Sequence, residues 1–289
     1  MEHNNQDYSI GIVTYVNRYH TYFKPNIEAL LKYFPNKQII CVINGYPDKT
    51  RHLAYVKEAT RWLSTLDTVQ YITFEDHQSL AKCWNWILIM SCAQNILFLN
   101  DDVLVRHTFR QDFENLLKKN PDFFAINSSF SHFLLNKEIV KKLGWFDERF
   151  LGIGYEDSDY LMRLAQKNIQ PKSFPCRGIV NFIAPELNPS FKNISSITSN
   201  KYSSINREFM EKKWFFNHLT GEDFDSDITF IWNDQEHRAK LKNGMDTPLF
   251  YDYALLDNNL KFASRSKSFP NRFEDGKKKL KVFLKNIWV

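Results

Sequence analysis

The chain has 289 residues, which is enough for one large domain or two smaller ones with a substantial hydrophobic core. Its 43% hydrophobic and 25% charged residues are typical of a globular protein in water. The formal net charge of +5 at pH 7 is modest for this length, which argues against a protein that binds nucleic acid.

The sequence carries no secretory signal pattern, and no apolar run approaches the roughly 18 residues of a membrane-spanning helix. Its four cysteines form no Cys-x-x-Cys pair and mostly lie in apolar stretches, so we expect reduced, buried thiols and no zinc site. Together these features predict a cytoplasmic protein.

Strands and helices alternate four times in the first 120 residues. Short apolar runs predict buried strands at 9–16, 38–45, 68–74 and 95–100. Apolar residues at helical spacing predict a helix after each strand, at 23–34, 51–64, 79–90 and 109–117. This alternation predicts an α/β fold with a mixed, mostly parallel sheet and helices on both faces.

Polar residues follow three of these strands: Thr14 to Arg18, Asn44, and Asn100 to Asp102. In parallel sheets, ligands bind beyond the carboxyl ends of the strands. We therefore expect these three groups of residues to converge on one crevice.

The second half of the chain has a less regular pattern. FFAINSSF and HFLL predict strands, and Asn136 is typical of the N-cap of a short helix, KEIVKKL, that Gly144 ends. After about residue 219 the alternation fades into a helical or irregular appendage, which closes on a basic amphipathic tail at 275–289. A tail of this kind suits either an anionic membrane surface or a solvated helix packed on the body.

Two acidic motifs are candidates for chemistry. In LNDDV, at 99–103, two carboxylates end a buried strand, where they suit a hard cation such as Mg²⁺ or Mn²⁺ or form a polar turn. In GIGYEDSD, at 152–159, Asp157 or Ser158 is expected to cap a helix that begins near Asp159. The helix dipole would keep Asp157 ionised, as a general base must be; the simpler interpretation is an acidic helix start.

The stretch TYVNR, at 14–18, suits contacts to a base or ribose, or is an ordinary loop after a strand. It contains neither a GxGxxG nor a GxxxxGK[ST] pattern, which disfavours a dinucleotide fold or a phosphate loop. The eight histidines form no metal-binding motif.

In their order along the chain, these segments resemble the family 2 glycosyltransferases of the GT-A fold, from the first strand to about residue 217. IVTYVNR and CVINGYPD resemble the two nucleotide-binding strands, SLAKCWNWIL the helix beside the nucleotide, and ILFLNDDV the strand with the DxD motif. LGWFDERFLGIGYEDSDYLMRL resembles the acceptor loop with its ED motif, and NREFMEKKW a segment that follows the catalytic domain in many bacterial members.

The resemblance implies a GT-A catalytic domain at 1–218, with a nucleotide-binding half at 1–120 and an acceptor-binding half at 121–218, followed by the appendage at 219–289. It implies an inverting transfer of a sugar from a nucleotide-sugar donor to a glycan or lipid-linked glycan. The product would be a capsule, lipopolysaccharide or other bacterial surface glycan. If the tail at 275–289 binds a membrane rather than packing on the body, the surface would be the inner face of the membrane, near lipid-linked acceptors.

The resemblance also implies roles for single residues of the acceptor loop. Asp157 would be the catalytic base that deprotonates the acceptor hydroxyl, and Glu156 would bind the acceptor by a hydrogen bond. Trp145 and Tyr155 would offer an apolar platform to a sugar ring.

For the donor, the resemblance implies nucleotide contacts from Thr14, Tyr15, Asn17, Arg18, Asn44, Lys82, Asn100 and Asp101. The resemblance favours a UDP-sugar, with a dTDP-sugar as the alternative. Asn44 stands where many members have an aspartate for a uracil-type base; its amide can still bond the base but distinguishes UDP less sharply from dTDP. Mn²⁺ or Mg²⁺ would be bound by Asp102 and Asp101, and Asn181, His218 or water would complete the metal site.

Two other functions remain open from the sequence. A sugar-phosphate nucleotidyltransferase would usually carry a glycine-rich basic loop after the first strand, and TYVNRYH is not of that kind. A non-catalytic module that binds glycans or nucleic acid would suit the basic tail, but it leaves the clustered acidic residues unexplained.

Overall fold

The computed structural model describes residues 8–16, 18–120, 122–181 and 189–214, and the single residues 251, 253, 255 and 256. The strands are β1 Tyr8–Thr14, β2 Ile39–Ile43, β3 Val69–Thr73, β4 Asn95–Asn100, β5 Val103–Val105, β6 Phe123–Ile126, β7 Ser129–Asn136, β8 Lys172–Phe174 and β9 Ile179–Asn181. The helices are α1 Lys24–Tyr33, α2 Lys49–Leu63, α3 Leu80–Met90, α4 Phe109–Lys119, α5 Lys137–Leu143, α6 Glu156–Gln166 and α7 Pro189–Trp214, with one π-helical turn, Tyr19–Phe23, before α1.

Seven strands form one sheet in the order β3-β2-β1-β4-β7-β6-β8. Neighbours among β3, β2, β1 and β4 are parallel, whereas β7 runs antiparallel to both β4 and β6. A separate antiparallel pair joins β5 to β9. The predicted mixed, mostly parallel α/β sheet is therefore confirmed, as are the four strand–helix pairs of the first 120 residues.

Alternate side chains of the central strands enter two hydrophobic cores. Ile39 and Cys41 of β2 face the core that contains side chains of α1, α2 and α4. Ile40 and Val42 face the core that contains side chains of α3, α5 and α6. Because both faces of the strands are buried, their sequences are continuous apolar runs, and helices cover both faces of the sheet as expected.

Gly11 of β1 allows α3 to lie directly on the sheet. A Cβ atom at this position would come within 2.2 Å of Ile87 Cγ2, so only glycine fits without a shift of the helix. The residues that follow β1 and those that begin α3 are therefore held at a fixed separation.

Asn136 caps α5 as predicted, because its side chain accepts a hydrogen bond from the backbone N–H of Glu138. Gly144 ends that helix with φ of +93°, the backbone region that favours glycine. The predicted domain boundary near residue 218, most of the appendage and the basic tail at 275–289 lie outside the described residues. Within the predicted appendage, Leu256 is buried in the core beside α3 and α5.

A buried cation joins α7 to the main body. Lys213 is 1% exposed, and its Nζ atom lies 2.7 Å from Asp147 Oδ2 and 2.6 Å from Asp159 Oδ1. The indole N–H of Trp214 also donates to Asp159, at 3.0 Å. The last turn of α7 therefore neutralises carboxylates that come from two other parts of the chain.

We predict that Lys213→Met destabilises the fold by about 1–3 kcal/mol, because each buried carboxylate loses one charged partner while Asp147 keeps Arg149 and Asp159 keeps Arg163. Lys212→Met is the matched control, since Lys212 is exposed and pairs only at the surface with Glu208, and it should cost less than about 0.5 kcal/mol. Urea denaturation of both variants measures the difference. Equal stabilities would contradict this account of Lys213.

Candidate functional site

The carboxyl ends of β1 and β4 meet through Asp101. This residue is 3% exposed, and its Oδ2 atom accepts a hydrogen bond of 2.7 Å from the Thr14 hydroxyl. Arg18 contacts both carboxylate oxygens, through Nε at 2.8 Å and Nη2 at 2.6 Å. Asn44 joins them, because its backbone N–H donates to the Thr14 carbonyl at 2.8 Å. The predicted convergence of the three strand ends is confirmed.

Arg18 lies between two aromatic rings as well as two carboxylates. Its guanidinium carbon lies 5.1 Å from the centre of the Tyr15 ring and 4.9 Å from that of Tyr22. The nearby carboxylate of Asp101 raises the pKa of Arg18 even though burial opposes this, so the side chain stays charged. Burial raises the pKa of Tyr15 to about 12, which keeps its hydroxyl protonated.

The predicted metal ligands, Asp101 and Asp102, both face this guanidinium. Nη2 of Arg18 lies 2.7 Å from Asp102 Oδ2, so one cation already spans the two carboxylates. Within the described residues, no three His, Cys, Asp or Glu side chains are placed to hold a metal. The backbone of Asn181 pairs with Val103, and His218 lies outside the described residues. Hard oxygen ligands are present, but this arrangement does not fit Mn²⁺ or Mg²⁺.

The other side chains predicted to contact the nucleotide differ in their exposure and in their hydrogen bonds. The side-chain oxygen of Asn44 accepts from the backbone N–H groups of Gly45 and Gln78, and its amide donates to the Gln78 carbonyl, each at 2.9 Å. Asn44 therefore joins two loops, which limits its role as a reader of the base. Lys82 is half-buried in the first turn of α3, and Asn100 is half-buried at the end of β4. Asn17 lies outside the described residues.

Residues 144–155, called the acceptor loop only for their resemblance to that segment of the family, enter α6 earlier than predicted. The helix begins at Glu156, and the preceding Tyr155 has φ of +72°, a left-handed conformation. The expected capping of a helix near Asp159 by Asp157 or Ser158 is wrong, because those residues already lie in the first turn. A residue other than glycine with positive φ is strained, and such residues concentrate at functional sites.

Glu156 and Asp157 form a buried acidic pair at the start of α6. Glu156 is 3% exposed, and its Oε2 atom accepts a hydrogen bond of 2.6 Å from the Gly154 N–H. Burial, and then the charge of Asp157, raises the pKa of Glu156 to about 8. Burial also raises the pKa of Asp157, whose Oδ1 atom accepts from the Ser158 N–H at 2.7 Å. A half-buried carboxylate with a raised pKa suits a general base.

Trp145 is buried in the protein, whereas the sequence predicted a ring exposed to an acceptor sugar. Its side chain is 0% exposed, and the rings of Tyr251 and Tyr253 lie 5.2 Å and 6.0 Å from it. Its ring faces are covered by protein, so we leave it out of the proposed acceptor site. Tyr155 is half-buried beside the small core that contains Phe150.

Asn85 and Glu148 join α3 to the segment that leads toward α6, and the sequence did not predict this contact. The buried amide of Asn85 bonds both backbone groups of Phe146 and donates to Glu148 Oε1 at 2.9 Å. Burial raises the pKa of Glu148. The Glu of the GWFDERF motif was a usable signal for Glu148, whereas nothing in the sequence around Asn85 distinguishes it from a polar helix residue.

The acceptor loop is therefore fastened to α3. Besides the Asn85 contacts, the backbone N–H of Leu80 donates to the Gly152 carbonyl at 2.7 Å. Because α3 also packs tightly against β1 at Gly11, it connects β1 to the loop that precedes the acidic pair.

Residues 63–177 match the family model described as "Glycosyltransferase like family 2". This match covers less than half of the chain and shows a likeness to that family over the segment. The segment includes the Asp101–Asp102 pair, the Glu156–Asp157 pair and all of α3. No curated protein sequence matches the chain.

Solved structures with similar folds are remote in sequence. The S. aureus TarS fragment 1–349 in complex with UDP is 14% identical, with a TM-score of 0.47 over 92% of this chain and 93% of that chain. A second S. aureus TarS structure is 15% identical, with a TM-score of 0.47 over 93% and 56%. GalNAc-T7 with UDP, GalNAc and Mn²⁺ is 11% identical, with a TM-score of 0.48 over 60% and 43%.

We predict that Glu156→Gln changes how stability depends on pH. A folded pKa of about 8 lies above the ordinary 4.5, so between these values the folded state holds the proton more strongly, and raising the pH costs stability. The neutral amide removes this cost. Relative to wild type, the variant should therefore be more stable at pH 8 than at pH 5.5, by at least about 1 kcal/mol.

Denaturation of both proteins at the two pH values measures this difference. Glu138→Gln is a suitable control, because Glu138 also lies in the first turn of a helix but is exposed. A stability difference for Glu156→Gln that does not change with pH would show that Glu156 has no raised pKa.

Proposed function

We propose that the chain is an inverting glycosyltransferase that moves a sugar from a UDP-sugar to a hydroxyl of a glycan acceptor. The observation that carries the proposal is that the family 2-like segment contains both acidic pairs, which lie at the end of β4 and at the start of α6. A site for group transfer needs a place for the leaving group and a base for the nucleophile. The two pairs supply residues for each of these tasks.

On the donor side, the strand ends around Thr14, Arg18 and Asp101 would bind the ribose and diphosphate. Arg18 keeps its charge in this buried position, and Lys82 lies in the first turn of the neighbouring helix α3. Cations near the diphosphate stabilise the negative charge that develops as the sugar leaves. A divalent cation would supply the same stabilisation, but Arg18 spans the carboxylates that would hold it, and we assign no step to a metal.

On the acceptor side, Asp157 would accept the proton of the attacking hydroxyl. The hydroxyl oxygen would form a bond to the anomeric carbon while the bond from that carbon to the diphosphate breaks. UDP would leave with the bonding electrons, and the configuration at the anomeric carbon would invert. Glu156, protonated at neutral pH because of its raised pKa, would bind the acceptor through a hydrogen bond.

The biological setting is part of the proposal, based on the resemblance of NREFMEKKW, at 206–214, to a segment that follows the catalytic domain in many bacterial family members. The acceptor would be a capsule, lipopolysaccharide or other surface glycan, free or linked to lipid. Among the helices of the described residues, none has both the length and the apolar character needed to cross a membrane. The tail proposed to contact the membrane lies outside those residues.

We predict that UDP raises the melting temperature of the protein, because a ligand that binds only the folded state stabilises it by mass action. A thermal-shift series with UDP, dTDP, GDP and CMP, each with EDTA or with Mn²⁺, tests the donor class. Stabilisation by UDP supports the proposal, and a larger effect of dTDP would replace UDP with dTDP as the donor nucleotide. The absence of stabilisation by all four would refute the nucleotide site.

We predict that Asp157→Asn lowers turnover of the donor sugar by about 10²–10⁴-fold, because an amide cannot act as the base. Stabilisation by UDP should not change, since the role proposed for Asp157 is contact with the acceptor hydroxyl and not with the nucleotide. Asp112→Asn is the matched control, because Asp112 is also half-buried in the first turn of a helix. Full turnover of Asp157→Asn would exclude Asp157 as the base.

A further inference from the structure

One buried amide on α7 holds the loop that leads into the acidic pair. Asn206 is 1% exposed. Its side-chain oxygen accepts from the Leu151 N–H at 2.8 Å, and its NH₂ group donates to the carbonyls of Leu151 and Gly154, at 2.8 Å and 2.9 Å. A single side chain thus satisfies three backbone groups of residues 151–154, which we call the 151–154 loop.

The 151–154 loop has a conformation that needs such support. Gly152 and Gly154 have φ of +59° and +119°, and the next residue, Tyr155, has φ of +72°. The ring of Tyr202 on α7 lies so close to Gly152 that a Cβ atom there would be 2.5 Å from it. Unusual backbone conformations of this kind persist only when the surrounding structure fixes them.

The contacts of Asn206 lead directly to the acidic pair. Asn206 donates to the Gly154 carbonyl, and the N–H of Gly154 donates to Glu156 Oε2 at 2.6 Å. Asp157 is the next residue. The hydrogen bonds of the Asn206 side chain go to the backbone of Leu151 and Gly154, so Asn206 affects the position of the two carboxylates through the loop.

We propose that Asn206 is a positioning residue that holds the 151–154 loop so that Glu156 and Asp157 meet the acceptor hydroxyl in a productive geometry. This inference depends on the proposed transferase function. It assigns a catalytic purpose to a helix that lies outside the family-matched segment.

Docking of α7 does not depend on Asn206 alone. Met210 and Trp214 are buried in a small core with Phe150 and Met162, and Lys213 makes its two ion pairs one turn beyond Met210. We therefore expect variants of Asn206 to keep α7 in place and to fold.

The experiment compares Asn206→Ala and Asn206→Asp with Ser204→Ala, a control at an exposed position of the same helix. The first variant removes all three hydrogen bonds. The aspartate keeps the acceptor for the Leu151 N–H but places oxygen against two carbonyls, so it should be at least as impaired as the alanine. Turnover should fall about 10- to 100-fold in both variants, because small misplacements of reacting groups have effects of this size. The KM for the nucleotide sugar and the stabilisation by UDP should match those of wild type.

The pH profile separates positioning from general instability. Burial is the main cause of the raised pKa of both Glu156 and Asp157, and the charge of Asp157 raises the pKa of Glu156 further. A looser loop admits water, which lowers both pKa values. The acid limb of the turnover profile should therefore move to lower pH in Asn206→Ala, and it should not move in Ser204→Ala.

Amide hydrogen exchange tests the loop without any turnover. Asn206→Ala should exchange faster in a peptide that covers 150–158, with unchanged exchange in a peptide that covers α4 at 109–119. Unchanged exchange at 150–158 would overturn the inference, and so would faster exchange with full turnover and an unmoved acid limb. If wild type neither binds UDP nor turns over a donor, the proposed function fails, and the catalytic purpose of Asn206 fails with it, whatever the exchange data show.

Discussion

A buried cation shared by two carboxylates organises each half of the site. Arg18 lies between Asp101 and Asp102 at the carboxyl ends of β1 and β4, and Lys213 lies between Asp147 and Asp159 on either side of the 151–154 loop. Transfer of these charges from water is costly, and it is offset only when each has its partners at short range. The partners therefore stay together, and the elements that carry them acquire fixed relative positions.

The backbone between these two charge clusters can adopt conformations that would not persist in isolation. The left-handed residues Gly152, Gly154 and Tyr155 are fixed by α3 on one side, through the Leu80–Gly152 hydrogen bond, and by α7 on the other, through Asn206. Because α3 also lies directly on β1, the acidic start of α6 is tied to the strands that would bind the nucleotide. The proposed chemistry needs this kind of rigidity, since donor and acceptor must meet in line.

The sequence predicted the elements whose signals are local. Continuous apolar runs identified β1, β2 and β4 because both faces of those strands are buried, and the polar residues after the strands identified the shared edge of the sheet. Contacts between residues far apart in the sequence could not be predicted. Arg18 meets Asp101 across 83 positions, Asn206 meets Leu151 across 55, and Lys213 meets Asp147 across 66, and no pattern within one segment indicates such pairs. The sequence also could not show that Arg18 spans Asp101 and Asp102, that tyrosine rings pack on Trp145, or that Asn44 joins two loops. It therefore suggested a metal site, a sugar platform and a base contact at these positions.

The central claim is a single displacement at the anomeric carbon that Asp157 assists as base. Proton NMR of the anomeric signals tests it during the first minutes of hydrolysis of a UDP-α-sugar by the wild-type protein, before the free sugar equilibrates. The account predicts that the β-sugar appears first, because one displacement inverts the configuration. Initial release of the α-sugar would contradict it, since retention requires a different mechanism from the one assigned to these residues.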